Sequence, residues 1–178
     1  MKILIVIEGK EGEKMKEIFH RTSIRKYTKQ PVEKEKIELL LKAAMAAPSA
    51  GNQQPWHFYV VTNKELIEQL SECSPYARCL KNAPLALVTC YKKAVKYPEY
   101  CQIDLSACNE NILLEADHLS LGAVWLGIAP LQDRMTSVKK VLHLEADEFV
   151  FSIISIGYPA ETKQQQNRYD INRIKYLD

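Results

Sequence analysis

Much of what this 178-residue chain lacks is informative. No window holds the roughly 18 uninterrupted apolar residues that a bilayer crossing needs, which excludes a membrane-spanning helix. The apolar run in MKILIVI is only five residues long and meets EGKEGEK, so it has neither the length nor the cleavage site of a signal peptide. The expected location is the cytoplasm. The five cysteines (Cys73, Cys79, Cys90, Cys101, Cys108) are odd in number and contain no CxxC, which argues against a disulfide framework and for reduced thiols that mostly fill core.

Catalytic and phosphate-loop signatures are missing as well. Glycine is scarce, with six residues and no GxGxxG or GxxxxGK[ST], so a phosphorylated ligand would have to be held by side chains. His20, His57, His118 and His143 share no spacing with one another or with a Cys or carboxylate cluster, and no metal site is expected. No serine sits in a GxSxG elbow and no cysteine has a local catalytic signature. Asp104, Glu110, Glu115 and Asp117 form no acid–base pattern and read as structural or solvent-facing. A net charge of +2 is too small to imply a nucleic-acid partner.

What is present fits one soluble domain, with 47 % hydrophobic and 26 % charged residues and no internal repeat. Met15 opens MKEIFHRTSIRKY, a natural start in its own right, so the domain is placed at 15–178 and residues 1–14 are set apart as an N-terminal extension. Helical spacing of Ile37, Leu40, Leu41, Ala44 and Met45 predicts a helix over 33–47, which Pro48 stops. FYVVT is a strand, KELIEQLSE a short helix and LALVTCY a second strand. Leu105, Cys108, Ile112, Ala116 and Leu119 stripe a long buried helix from Pro98 to Leu121, with Gly122 as its C-cap. AVWLGI reads as a strand, DRMTSVKKVLH as a surface helix, FVFSIISIG as a strand buried on both faces, and the rest as an extended polar tail. Strands alternating with helices suggest a layered sheet, with a Rossmann domain as the first guess.

Two stretches stand out. In RTSIR an extended backbone would point Arg21, Ser23 and Arg25 the same way, a phosphate or carboxylate receptor; the competing reading is a solvated basic turn. A second basic cluster runs from Lys163 to Lys175 and includes Arg168. The other stretch, APSAGNQQPW, is loop chemistry around Pro48, Gly51 and Pro55. Anion binding without an obvious acid, base or nucleophile suggests that a cofactor performs the reaction.

With RTSIRKY, APSAGNQQPWHF, SLGAVWLGIAP, IISIGYPAE and NRYDINRIKY in one order over residues 15–176, the chain resembles the nitroreductase family of flavoproteins. The resemblance implies an α+β, three-layer α/β/α sandwich with a largely antiparallel central sheet, which displaces the Rossmann topology. It also implies an intertwined homodimer with two FMN sites at its interface. Arg21 and Ser23 then correspond to residues that hold the FMN phosphate, and Arg25 to a cation at the pyrimidine edge. Thr22 stands where the family often has a second basic residue. Pro48, Ser49 and Asn52 correspond to a loop reaching the partner's flavin, the backbone of Leu126, Gly127 and Ile128 to the segment beside the isoalloxazine ring, and Arg168 to a tail residue closing on the phosphate. Gln53, Gln54 and Trp56 are left as loop amides and a ring leading into a strand.

The implied activity is hydride transfer from NADH or NADPH to flavin N5 and onward, in a ping-pong cycle, to a nitroaromatic, quinone or similar acceptor. Two other readings stay open: a specialised flavoenzyme for reductive dehalogenation or flavin fragmentation, and a non-enzymatic module binding an anion or RNA through Arg21 to Lys29. The KQQQN before Arg168 lacks the proline and basic residues common in the family, and the chain is short beside longer members that carry inserted helices.

Overall fold

A computed structural model describes residues 15–177; the extension expected at 1–14 lies outside them. Helices α1 (Lys16–His20) and α2 (Lys34–Met45) precede the first strand, β1 (Trp56–Val61), and α3 (Lys64–Ser71) leads to β2 (Leu85–Lys92). The long helix α4 (Cys101–His118) is followed by β3 (Gly122–Gly127), α5 (Gln132–Leu142) and β4 (Glu148–Gly157). The sheet order is β1-β2-β4-β3 with every neighbouring pair antiparallel, so the Rossmann guess fails. The physical reason is in the pairing: β1 with β2 and β3 with β4 are sequence neighbours that pair antiparallel across a helical connection. Alternating strands and helices do not by themselves require a parallel crossover.

Strand alternation divides the core into two layers. Ala86, Val88, Val124 and Ile153 face α3 and α5, where Ile67, Leu70, Met135 and Val138 are buried. Leu85, Leu87, Ala123, Ile154 and Ile156 face α2 and α4 and pack on Leu40, Ala44, Cys108 and Ile112. This is the three-layer arrangement with an antiparallel centre, and β4, between two partners and under helices on both faces, is buried along nearly its whole length. The cysteines are all free thiols; burial pushes Cys108 up to about 12 and also raises Cys90, as core residues should behave.

The predicted C-cap needs correction. The long helix ends at His118, and the left-handed turn after it is made by Ser120 at φ 60, with Leu121 N–H closing on the Ala116 carbonyl at 2.7 Å. Gly122 instead opens β3, paired with Gly157 of β4. A β-carbon on Gly122 would stand 2.6 Å from Cγ2 of Ile24. The missing side chain lets the RTSIR segment lie directly on the sheet edge.

Candidate functional site

That segment is extended, as its alternation predicts. Ser23 forms an isolated parallel bridge with Ala123, and Ile24 N–H donates to the Ala123 carbonyl at 3.0 Å. Ile24 and Tyr27 are the buried anchors, the Tyr27 hydroxyl donating to the Ile24 carbonyl at 2.7 Å and the Ser155 carbonyl at 3.1 Å. With Ile24 turned inward, Arg21, Ser23 and Arg25 line an open hollow of about 570 Å³, and Thr22 lines it beside them.

The opposite wall comes from the other end of the chain: Lys163, Gln165 and Arg168 contribute to it. Gln165 Nε2 donates to the Ile18 carbonyl at 2.9 Å, tying the tail to α1. Lys163 Nζ donates to the Ser23 carbonyl at 3.1 Å and pairs with Glu161 at 3.0 Å. Glu161 accepts the Arg25 backbone N–H at 2.7 Å, and that bond, more than Lys163, holds its carboxyl below the usual range. The two basic clusters thus meet at one place, and among the described residues no carboxylate lines it.

Helix α1 aims the first arginine. It buries no residue of its own and is tied to α4 by His20 Nδ1 to Asp117 and His118 Nδ1 to Glu17, both 2.9 Å. The Glu17 hydrogen bond raises the His118 pKa above its ordinary 6.5, and the same bond lowers Glu17 below 4.5. A raised histidine stabilises docking below 6.5 and loses its contribution as pH climbs through the folded value. A lowered carboxylate contributes above 4.5 and loses its share as pH falls. Protection of α1 amides in hydrogen exchange, corrected for intrinsic rates, should therefore be greatest between about pH 4.5 and 6.5 and decline on either side. On α4, Glu110 pairs with Arg21 Nε at 3.4 Å.

Arg25 also borders a second hollow of about 590 Å³, formed with Trp125, Leu126 and Gly127 from the end of β3 and with Tyr76, Arg78 and Arg134. Among the described residues, chain neighbours aside, nothing stands within 4 Å of where a Gly127 β-carbon would lie, so the backbone there is open to a flat ligand. Ile128 is fully buried, backbone included, and borders neither hollow.

Pro48, Ser49 and Asn52 line neither hollow. Their loop is nevertheless fixed: Gly51, Asn52 and Gln54 all have positive φ. Ser49 Oγ accepts the Gln54 N–H at 3.0 Å, and Asn52 Oδ1 accepts from the Gln54 amide at 3.2 Å. Gln53, expected to be an ordinary loop amide, holds the Tyr97 backbone through both its carbonyl and its nitrogen, each at 2.9 Å. It also donates to Asp104 Oδ2 at 2.7 Å, while Asp104 Oδ1 accepts the Ala50 N–H at 2.9 Å.

The residues that sequence reasoning missed are Lys163, Gln165, Tyr76, Arg78 and Arg134. Lys163 was visible as tail charge, but nothing in spacing marks the others. Among the described residues no group of three or more His, Cys, Asp or Glu could hold a metal ion, and no helix is long and apolar enough to cross a membrane.

Comparison with known proteins agrees with this architecture. The model of the nitroreductase family matches residues 18–75 and 74–158. The chain is 43 % identical over 165 residues, 90 % of its own length and 95 % of the relative's, to an Archaeoglobus fulgidus protein named "Putative NADH dehydrogenase/NAD(P)H nitroreductase". A crystal structure under the same name from Parabacteroides distasonis superposes with a TM-score of 0.88 at 37 % identity, covering 92 % of this chain and 97 % of the other. The FMN-dependent nitroreductase of Clostridium difficile R20291 superposes with a TM-score of 0.83 at 34 % identity, covering 89 % and 95 %. The same antiparallel sheet, the same layers and a sequence match over most of the described residues place this chain in the nitroreductase family.

Proposed function

We propose that the chain is an FMN-dependent oxidoreductase that takes hydride from NADH or NADPH and passes it to a small acceptor such as a nitroaromatic or quinone. The observation that carries this reading is the convergence of Arg21, Ser23, Arg25, Lys163 and Arg168, from both ends of the chain, on one hollow that no carboxylate of the described residues lines. Such a donor set fits a phosphate dianion. The open backbone at Gly127, in the adjoining hollow that shares Arg25, fits a flat ring. FMN bound there would supply the redox chemistry, accepting hydride at N5 and releasing it in a ping-pong cycle.

The chain's own residues bind and orient. Arg21, Ser23 and Arg168 would hold the phosphate, with Thr22 lining the same wall, and Lys163 adds charge while fixing the Ser23 carbonyl. Arg25, common to both hollows, would set a cation at the pyrimidine edge, where a fixed positive charge favours the electron-rich form of the ring. Leu126 and Gly127 would run beside the ring, with Ile128 next in sequence and buried.

Pro48, Ser49 and Asn52, rigidly held yet away from their own chain's hollows, would reach the partner's cofactor in a homodimer with shared sites. Exposed Met45 and Leu39 on α2 and Ile103 on α4 provide apolar surface for that dimer. The location remains the cytoplasm.

Purified protein is expected to be yellow and to bleach when NADH or NADPH is added without oxygen. Bleaching by dithionite but by neither nicotinamide would move the reading to a specialised flavoenzyme, and protein that takes up no FMN would refute it. A monomeric mass by light scattering with FMN bound would contradict the shared site.

A further inference from the structure

The RTSIR segment has two long edges, and different groups hold them. Along an extended backbone successive residues face opposite sides. Ile24 N–H goes to the Ala123 carbonyl on the sheet at 3.0 Å, so Arg25 N–H points the other way, toward the chain that leaves β4. That chain pairs with the residues after Arg25. Thr28 N–H donates to the Tyr158 carbonyl at 2.8 Å, Tyr27 bridges Pro159, and Ala160 N–H donates to the Lys26 carbonyl at 2.9 Å. At Arg25 a side chain takes over from the backbone, because its N–H is received by Oε1 of Glu161 at 2.7 Å.

Glu161 has a second hold on the segment. The same Oε1 lies 3.0 Å from Lys163 Nζ, and Lys163 in turn donates to the Ser23 carbonyl at 3.1 Å. These contacts join Ser23 and Arg25, alternate residues of one wall, to the start of the tail. The Glu161 side chain is 17 % exposed and lines a neighbouring hollow of about 580 Å³, not the one lined by Arg21, Ser23 and Arg168. It therefore grips the cationic wall from behind. Charge alone makes a carboxylate in that place unfavourable, since Arg25 and Lys163 both line the phosphate hollow and an acid bonded to both stands within a Debye length of any anion there.

Building on the oxidoreductase reading, we infer that Glu161 is a positioning residue for the cofactor phosphate, holding Lys163, and with it the start of the tail that carries Arg168, closed against Ser23 and Arg25. It touches neither phosphate nor ring. The two ways in which this carboxylate can act on FMN have opposite signs. A group acting through its charge would, when neutralised, let the phosphate bind more tightly; a group holding the wall together would, when removed, let it go.

Apoprotein of the unmodified chain, Glu161→Gln and Glu161→Ala is titrated with FMN and with riboflavin, followed by flavin fluorescence quenching. Glu161→Ala should weaken FMN binding roughly 10- to 100-fold, the effect of one hydrogen bond to a charged group, and leave riboflavin within about 2-fold. Glu161→Gln keeps an oxygen for the Arg25 N–H but loses the ion pair, and should fall between the two. In a Lys163→Met background Glu161→Gln should have less than about half that effect on a logarithmic scale, because the group it holds is gone. FMN binding that is unchanged or tighter in both variants would overturn the inference, as would a parallel loss of FMN and riboflavin, the mark of a damaged fold. Discrimination between the flavins by the unmodified chain, with no loss in the variants, removes this inference alone; an unmodified chain that takes up no FMN removes the oxidoreductase reading and the inference with it.

Discussion

Arg21→Ala should raise the dissociation constant for FMN about 10- to 150-fold, the equivalent of roughly 1.5 to 3 kcal/mol for a hydrogen bond to a charged phosphate. The fold should survive, because among the described residues the Arg21 side chain has one ion pair, to a Glu110 side chain that is 49 % exposed, and such surface pairs contribute little. Ser23→Ala removes a neutral donor and should cost less, about 2- to 10-fold. Fluorescence quenching on titration with FMN gives the affinities, and thermal unfolding of the apoprotein shows whether the fold is intact. Unchanged affinity in both variants would sink the phosphate assignment.

Asp104→Ala should give the larger stability loss, about 2 to 5 kcal/mol, since each buried donor left without an acceptor costs roughly 1 to 3 kcal/mol. Asp104 is only 4 % exposed, and its two oxygens take the Ala50 N–H and the Gln53 amide. The Gln53 bond to Tyr97 would loosen with it. The loop depends on such outside contacts because Asn52 and Gln54 sit at positive φ, where side-chain-bearing residues are strained. Asp104→Asn keeps one acceptor and should lose about half as much. Urea denaturation measures the stability. If the loop completes a partner's site, sedimentation at falling concentration should also show a weaker dimer, and an Asp104→Ala protein as stable and as dimeric as the original would refute the role given to this network.

The contrast between Asp104 and Arg21 shows which parts of this protein are legible in its sequence. RTSIR could be read locally, because alternation along an extended backbone is a property of neighbours, and the structure puts Arg21, Ser23 and Arg25 on one hollow. Strand and helix positions were legible for the same reason: FVFSIISIG needed only its unbroken β-branched and aromatic run to be read as a doubly covered strand. Sheet order was not, since placing β4 between β2 and β3 is a pairing across distant sequence that no local period encodes. The family resemblance supplied the antiparallel sense of the sheet, and only the structure gives the order. Gly122 was misread because a glycine after a helix fits a C-cap equally well, and only the approach of Ile24, nearly a hundred positions earlier, explains why a side chain is excluded there.

Gln53 and Asp104 are 51 positions apart, and neither residue type in its own context announces the other. Arg134 sits in an unremarkable amphipathic helix and acquires meaning only through Gly127 and Tyr76. The convergence of the two basic clusters lies between these cases. Composition showed both clusters, but only the resemblance, and then the fold, joined Arg21 to Arg168.

If that joint hollow is built for a phosphate, riboflavin offers the direct comparison, because it is FMN without one. Apoprotein titrated with FMN and with riboflavin under identical conditions, followed by flavin fluorescence quenching, is predicted to bind FMN at least about 100-fold more tightly, with most of the difference abolished in Arg21→Ala. Equal affinity for the two flavins would contradict the account, for it would mean that the arginines gathered from both ends of the chain do not hold the cofactor.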